Sequence, residues 1–469
     1  MKFDTRQRWV LGLTALASLM VALDALVVST ALPTIRLHLG ASVEELEWTV
    51  NAYTLSFAVL LMTGAALGDK FGRRRLFASG MALFIAASAA CALAPSIGWL
   101  IAARAVQGAG AAVIAPISLA ILSSAFGAEQ RGKALGIFSS ITGLAVLGGP
   151  VVGGAVTQGL AWQWIFWLNV PIGLVAIPLI LTRLEESHGS RAALDIPGLA
   201  LVTGAGFGVV WGLVRSNRAG WGSPEVLGSL VTGAGLTLAF VRYELRARAP
   251  MLPMRLFRSR AFAAGNVANL LLFASLFSAV FFMAQFLQTT LGQSPLGAGL
   301  RLLPWTGSLF FVAPIAGLAV ARVGERPLIV TGLLLQAAGM AWIALVARVD
   351  VAYGQLVPPL IVAGVGVSMT MPAIQSTVLG AVAPEEVGKA SGTFNTMRQL
   401  GGVLGLAIVV AVFAGAGSYA SPAAFSDGFA PAIAVCAGLS LLGAITASLI
   451  PAPAVAPTEQ PRRAVATQA

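Results

Sequence analysis

A succession of long apolar runs, separated by short polar segments, is what most constrains the fold of this chain. The first run, residues 9–33, is long enough to cross a bilayer, which takes about 20 apolar residues. A helix satisfies its own backbone hydrogen bonds in lipid, so the predicted fold is all-α and polytopic, with fourteen transmembrane helices. The expected spans lie near 9–32, 48–68, 76–94, 99–125, 134–156, 164–182, 196–214, 225–241, 262–285, 299–320, 327–347, 356–381, 390–414 and 430–450.

The basic residues predict the orientation of these spans. If there are fourteen, 22 of the 29 Lys and Arg residues fall on one side and four on the other. The basic side is normally cytoplasmic, so we expect a multi-pass protein of the cell (inner) membrane with both termini in the cytoplasm. The net charge of +11 does not indicate a nucleic-acid partner, because short loops of this kind meet anionic lipid headgroups.

An internal repeat divides the spans into two halves. Residues 115–138 align with residues 371–394 at an offset of 256, which places Pro116 over Pro372. Repeats of this kind are typical of transporters that rock one bundle of helices against another. The expected divisions are 1–183 and 262–450 for two six-helix bundles, 184–261 for two inserted helices with a cytoplasmic linker, and 451–469 for a disordered cytoplasmic tail.

Asp24 lies deep in the first span, where an ionisable group costs several kcal/mol and is rarely kept for packing alone. We interpret it as the proton-binding group of a transporter; the alternative is an acid held neutral or capped by Ser29 or Thr30. It is the only acidic residue that we expect well within a span. Arg104 in the fourth span is its natural partner, directly or through water, unless this arginine only ties helices together.

Residues 64–75, GAALGDKFGRRR, join the second and third spans and place a carboxylate before a run of bases. A tight turn of this composition can bond helix ends to one another. We interpret it as a latch that closes the cytoplasmic face, the alternative being a turn with positive-inside charge. The second half has Ala321 in place of the acid. This difference in charge between the two halves favours the latch over a simple turn. The latch residues are Gly68, Asp69, Gly72, Arg73 and Arg74.

Residues 144–156 contain small residues at a spacing of four, which allows close approach of a neighbouring helix. We interpret Gly149, Pro150, Gly153 and Gly154 as a seam on which the halves rock and which blocks proton leakage. Plain tight packing is the alternative. The candidate lining of a substrate cavity is Asn51, Tyr53, Gln107, Gln285, Gln288, Asn395 and Arg398, the last either meeting an anionic group or snorkelling to the cytoplasmic surface.

Together these stretches resemble the major facilitator superfamily, in particular its fourteen-helix drug:proton antiporter branch. The resemblance rests on LDALVVSTALP (23–33), GAALGDKFGRRR (64–75), LIAARAVQGAGAA (100–112) and GGPVVGG (148–154). It implies efflux of drug-like compounds from the cytoplasm, driven by protons that move in. A departure from the pattern is Ala25-Leu26, where Thr or Ser often follows the acid.

The resulting hypothesis is a proton-coupled antiporter for lipophilic neutral or monocationic compounds, working by alternating access as a monomer in membrane lipid. We expect no cofactor, no metal and no enzymatic activity, since the chain has only His38 and His188 and no sizeable soluble domain. One alternative is an exporter dedicated to a single antibiotic or secondary metabolite. Another is a proton-coupled nutrient importer, against which GGPVVGG argues.

Overall fold

The computed structural model describes residues 3–126, 128–189, 195–247, 250, 252–383 and 386–451, and these contain helices but no strand. Thirteen spans are long and apolar enough to cross a membrane, and α5 is a further 32-residue helix. The predicted fourteen-helix fold is thereby confirmed, while all of the predicted tail after residue 451 lies outside the described residues. The helices are α1 Thr5–Leu39, α2 Val43–Phe71, α3 Arg73–Ala92, α4 Ile97–Ala125, α5 Ala128–Gly159, α6 Trp164–Trp167, α7 Asn169–Arg183, α8 Ile196–Ala219, α9 Pro224–Glu244, α10 Arg260–Thr289, α11 Pro295–Arg301, α12 Leu303–Thr306, α13 Ser308–Val323, α14 Glu325–Val346, α15 Tyr353–Gly380, α16 Val387–Ala416 and α17 Pro422–Ala447.

Two of the expected spans are interrupted, which corrects the prediction of continuous helices there. The sixth span consists of α6 and α7, and the tenth consists of α11, α12 and α13. Pro171 and Pro304 lie close to the interruptions, and a proline cannot donate the backbone hydrogen bond that continues a helix. Leu168, Leu302 and Gly307 at the interruptions keep right-handed helical dihedrals, so each span remains long enough to cross a membrane.

The turn between α1 and α2 is fixed by local signals. Helix α1 ends at Gly40, whose φ of 64° is the left-handed conformation that favours glycine. Helix α2 begins after Ser42, whose side chain accepts from the backbone of Glu45, while Glu45 accepts in return from the backbone of Ser42. This capping box starts α2 five residues earlier than the expected span, and so draws further polar residues into the helix.

Apolar packing joins the two halves chiefly at one end of the bundle. We call the end of the bundle where α1 begins and α17 ends the basic end, because most Lys and Arg residues lie there. The other end of the bundle is called the opposite end. At the opposite end one hydrophobic core contains residues of both halves, such as Ile35, Phe166, Phe286 and Phe429. At the basic end each half has a hydrophobic core of its own.

The inserted helices α8 and α9 pack together and rest on the boundary between the halves. Val210 and Val214 of α8 share an apolar cluster with Leu55 of α2 and with Val403 and Ala407 of α16. Nearer the opposite end, Trp48 of α2 lies 6.0 Å from the rings of both Phe207 and Trp211. Helix α8 therefore contacts both bundles instead of extending only one.

Candidate functional site

Asp24 lies within the first half, where its side chain is 1% exposed. Its Oδ2 accepts from Nη1 of Arg104 in a direct ion pair. Its Oδ1 accepts from Nε2 of Gln107 at 2.8 Å and from Nδ2 of Asn169 at 3.0 Å. Both carboxylate oxygens are thus held by donors from α4 and α7, and hydrogen bonds to an ionised group are the stronger kind.

Arg104 is positioned by a second set of contacts. Its Nε donates to the backbone oxygen of Thr49 at 3.2 Å, and its Nη1 also donates to Oε1 of Gln107 at 2.7 Å. The guanidinium carbon lies 4.2 Å from the ring centroid of Tyr53, within the range of a cation–π contact. Helices α1, α2, α4 and α7 therefore share one polar network inside an apolar core.

Ser88 of α3 completes this network. Its Oγ accepts from Gln107 at 3.1 Å and from Asn169 at 3.0 Å, and donates to the backbone oxygen of Phe166 at 3.1 Å. Sequence reasoning missed both Ser88 and Asn169. The available signal for Asn169 was a single amide within the apolar stretch WIFWLNVPIG (164–173), because an amide buried in lipid needs partners.

This network encloses an ion pair. Burying a charged pair costs several kcal/mol for each ion, and the hydrogen bonds that Asp24 and Arg104 make offset part of that cost. Asp24 and Asn169 border a cavity of about 210 Å³ between α1 and α6–α7, lined otherwise by apolar side chains. Among the described residues no group of His, Cys, Asp or Glu could hold a metal ion.

The second half contains an uncharged counterpart. Nε2 of Gln336 on α14 donates to Oγ of Ser275 on α10 at 3.1 Å, and Oγ of Ser440 on α17 donates to the same atom at 2.8 Å. In the order of the repeat these helices correspond to α3, α1 and α6–α7. Neutral amides and hydroxyls can therefore fill this place in a bundle, and the ion pair is a property of the first half.

The predicted latch is fastened within its own half. Oδ1 of Asp69 accepts from Nε and Nη2 of Arg73 at 2.9 and 2.7 Å, and its backbone oxygen accepts from Gly189 at 3.2 Å. Glu186, which sequence reasoning missed, accepts from the backbone of Arg74 at 2.9 Å and so caps α3. Gly72 has a φ of 104°, and a Cβ there would meet the Glu186 carboxyl.

The predicted seam has two faces instead of one. Gly149 and Gly153 face α1, and a Cβ at Gly149 would lie 2.7 Å from Cβ of Leu26. Gly154 faces α11 of the other half, where a Cβ would lie 2.7 Å from Cα of Leu296. Successive glycines on α5, one residue apart, thus permit backbone contact within a half and between the halves.

The residues proposed to line the substrate cavity occupy several environments, and their role stays a prediction. Asn51, Tyr53, Gln107 and Gln285 are buried in the packed interior. Gln288 donates to the backbone oxygen of Thr30 at 3.0 Å, which links the halves. Asn395 donates to the backbone oxygen of Ser391, and Arg398 is half-buried with its guanidinium 5.4 Å from the ring centroid of Phe273.

Tyr419 lies between α16 and α17 and donates to Oε1 of Gln285. Burial raises the pKa of its phenol, although the cation of Arg36 nearby acts in the other direction. The hydroxyl therefore stays protonated and available as a donor at physiological pH. This contact accounts for the burial of Gln285 at the opposite end of the bundle.

The structure adds a buried acid near the end of a span. Glu47 is fully buried, although it lies close to the start of α2 and not deep within the span as Asp24 does. Because the capping box starts α2 at Val43, Glu47 lies in the second turn of the helix, where the sequence had suggested a loop. Its Oε1 accepts from Nδ2 of Asn51 at 3.0 Å.

Comparison with known proteins identifies similar sequences over most of the chain. A model of the Major Facilitator Superfamily matches residues 14–406 and 266–468. The puromycin resistance protein pur8 of Streptomyces alboniger is 35% identical, over 95% of this chain and 91% of its own. The cephamycin export protein CmcT of Amycolatopsis lactamdurans is 35% identical, over 94% and 92%. The multidrug resistance protein Stp of Mycobacterium tuberculosis is 34% identical, over 86% and 75%.

Solved structures agree with this chain in fold alone. A bacterial homolog of the human lysosomal transporter Spinster, in an inward-facing and unoccupied conformation, superposes with a TM-score of 0.69 at 15% identity. The match covers 96% of this chain and 98% of that one. The nucleoside transporter NupG superposes with a TM-score of 0.66 at 13% identity, over 94% and 99%.

Proposed function

Since the chain belongs to the major facilitator superfamily, we propose that it exports lipophilic neutral or monocationic compounds from the cytoplasm in exchange for protons. The relatives are named for antibiotic and multidrug resistance and export, which supports efflux. The observation that supports exchange for protons is the Asp24–Arg104 pair. Both side chains are 1% exposed, and Asp24 borders an apolar cavity. A carboxyl in that place can carry a proton between two sides of the membrane.

The basic end is the cytoplasmic end in this proposal, by the positive-inside rule. The continuous core between the halves then closes the outer side, and the separate cores leave the inner side to open. Contact of Gly154 with α11 and of Gln288 with α1 supports the same assignment. In this proposal the carrier is in an inward-facing state, which is one of the two states that alternating access needs.

The proposed cycle is as follows. Substrate enters the inward-facing cavity from the cytoplasm or the inner leaflet and favours release of the proton from Asp24. The halves rock, substrate leaves on the outer side, and protonation of Asp24 from outside returns the carrier. Each net charge that moves inward contributes about 2.3 kcal/mol per 100 mV of membrane potential.

The export function is tested in an efflux-deficient bacterial strain that expresses the full chain. We expect lower intracellular levels of puromycin and of the lipophilic monocation ethidium than in a strain with an empty vector, and loss of the difference when the proton gradient is collapsed. The Asp24→Asn protein at equal membrane abundance is the matched control. Higher accumulation than with the empty vector would indicate an importer and contradict the proposal.

A second candidate is an exporter dedicated to one antibiotic. It is favoured by the relatives that are named for a single compound, puromycin or cephamycin. Resistance profiles across chemically diverse compounds distinguish the two, because a multidrug carrier protects against several unrelated classes. Protection against one class of compound alone would show that the chain is a dedicated exporter and not a multidrug exporter.

Asp69→Ala is expected to slow turnover about tenfold, the effect of some 1.4 kcal/mol on a barrier, without weakening substrate binding. Asp69 holds Arg73 and the segment at Gly189, and both lie far from the Asp24 network. Transport rates and binding affinity in proteoliposomes are measured side by side. Lys70→Ala, at an exposed side chain of the same turn, is the control. Normal turnover with lost binding would show that the latch assignment is wrong.

A further inference from the structure

Glu47 is a fully buried carboxyl, 0% exposed, that the proposed mechanism does not use. Its Oε1 accepts from Asn51, but its Oε2, equally enclosed, has no hydrogen-bond partner there. No described cation lies within ion-pair distance of either oxygen. An ionised carboxyl without a partner is far more costly to bury than a neutral one, so this environment favours the acid form.

The charged groups around the start of α2, at the opposite end of the bundle, do not supply an ion-pair partner for Glu47. We call this end the outer end, as the proposed orientation places it outside. Arg104 of α4 is paired with Asp24, and Arg215 of α8 with Glu44 and Glu225. On its own helix the neighbouring charged groups, Glu44 and Glu45, are also acidic and supply no cation. Helix α16 has no ionisable residue over 402–416. On α1, Arg36 lies over the Tyr419 ring and His38 lies against Trp162. The side chain of Arg218 on α8 lies outside the described residues.

The position of Glu47 links its protonation to the movement of the halves. Its neighbour Leu46 belongs to the hydrophobic core that joins both halves, and Trp48 packs against Phe207 and Trp211 of α8. Closing this end removes water from the carboxyl, and opening it returns water. A group that is neutral when enclosed and ionised when hydrated binds its proton more tightly in the closed state, and by reciprocity the proton stabilises closure.

We propose that Glu47 is a second proton-binding site of this carrier, protonated while the outer end is closed and ionised when that end opens to water. The proton passes between the Glu47 carboxyl and outer water, and no other reactant is needed. In the cycle its protonation stabilises the closed outer end once protonation of Asp24 has returned the carrier, and Asp24 remains the site that exchanges its proton for substrate. Its place in transport rests on the proposed function, but its proton binding does not.

The test measures closure of the outer end as a function of pH in the full-length protein in lipid nanodiscs. Spin labels at Leu37→Cys and Val349→Cys, both exposed positions near that end in opposite halves, report the distance between the halves after Cys91 and Cys436 are replaced by Ala. With Glu47 present, the ratio of closed to open populations is expected to fall by up to tenfold per pH unit as the site ionises. Glu47→Gln is expected to remove this dependence and stay closed.

Glu45→Gln is the matched control, because Glu45 is only partly buried on the same helix and glutamine preserves its capping contact. Repeating the series with Asp24→Asn separates the two sites. Dependence on pH that survives Asp24→Asn and disappears with Glu47→Gln supports the proposal, even if export proves independent of protons. Dependence that is unchanged by Glu47→Gln, or absent from the parent protein, overturns it.

An infrared measurement keeps the proposal testable if Glu47→Gln does not fold. The Asp24→Asn protein at neutral pH is expected to show the carbonyl band of a protonated carboxyl, which disappears as rising pH opens the outer end. Glu45→Gln added to this protein leaves the band in place. Absence of the band while the spin labels report a closed outer end would overturn the assignment.

Discussion

Asp24→Asn is expected to abolish proton-driven accumulation of substrate while leaving the protein folded in the membrane. Asparagine has nearly the shape of aspartate and can still meet Gln107 and Asn169, but it cannot gain or lose a proton at physiological pH. Substrate then equilibrates, or does not move, instead of being driven. The expected loss is complete because no other carboxyl of the described chain shares the Asp24 network.

The expected loss of coupling is measured as a substrate concentration ratio in proteoliposomes. One proton exchanged for one neutral substrate across one pH unit supports a concentration ratio of about ten, since one pH unit is worth about 1.4 kcal/mol. The parent protein is expected to approach that ratio, and Asp24→Asn is expected to stay at one. Full drug-stimulated proton uptake by Asp24→Asn would remove Asp24 from the mechanism.

A control must separate lost coupling from lost folding. Asp24→Asn leaves the Arg104 guanidinium buried without a counter-charge, and breaking a buried pair in this way costs about 3–5 kcal/mol. The double variant Asp24→Asn/Arg104→Gln removes both charges and approaches the uncharged Ser275–Gln336–Ser440 arrangement of the second half. We expect it to recover stability, measured by thermal unfolding in detergent, without recovering coupling.

Gly154→Leu is expected to hold the outer end open and to reduce export to background. The backbone of α11 lies so close to α5 that even a Cβ at this position would stand 2.7 Å from Cα of Leu296. Real atoms do not approach so closely, and backbone on both sides leaves little room for adjustment. The side chain therefore separates α5 from α11, so the arrangement in which the opposite end is closed is disfavoured.

Gly148→Leu is the matched control, since it changes the same helix at a position where a Cβ meets nothing within 4 Å. Both variants are measured for export and for the distance between spin labels at Leu37→Cys and Val349→Cys. Gly148→Leu should resemble the parent protein, whereas Gly154→Leu should show a longer distance across the outer end. A parental distance together with normal export would show that the close contact of α5 with α11 is dispensable.

Much of the site was accessible from local sequence. Asp24 and Arg104 stood out because ionisable side chains are expensive in apolar spans, and each needed the other. Gln107 and Gly154 were named from the motifs that carry the family resemblance, and Gly149 and Gly153 from the spacing of small residues. Ser88 and Asn169 were not found, because uncharged polar residues in helices are common and only their convergence on Asp24 distinguishes them.

Glu47 illustrates how a helix boundary changes the interpretation of a residue. In the sequence it is one of three acids just before an apolar run, and such a cluster is typical of a hydrated helix start. The capping box at Ser42 and Glu45 moves that start outward, and in the packed structure Glu47 is fully buried while Glu45 is only partly buried. The substrate preference inferred from a single buried acid is affected, because a second acid could balance further positive charge.

The sequence by itself determined the all-α class, the number of spans and the repeat, because the need to satisfy backbone hydrogen bonds in lipid acts on each segment separately. It also identified Asp24 and Arg104, since the cost of a buried charge depends on depth alone. Only the tertiary structure decided which end of the bundle is closed, where α8 lies, and that Gly154 contacts α11 while Gly153 contacts α1. These features depend on how the helices rotate and pack against one another. The sequence leaves that rotation undetermined, because an apolar side chain is about equally stable against lipid and against protein.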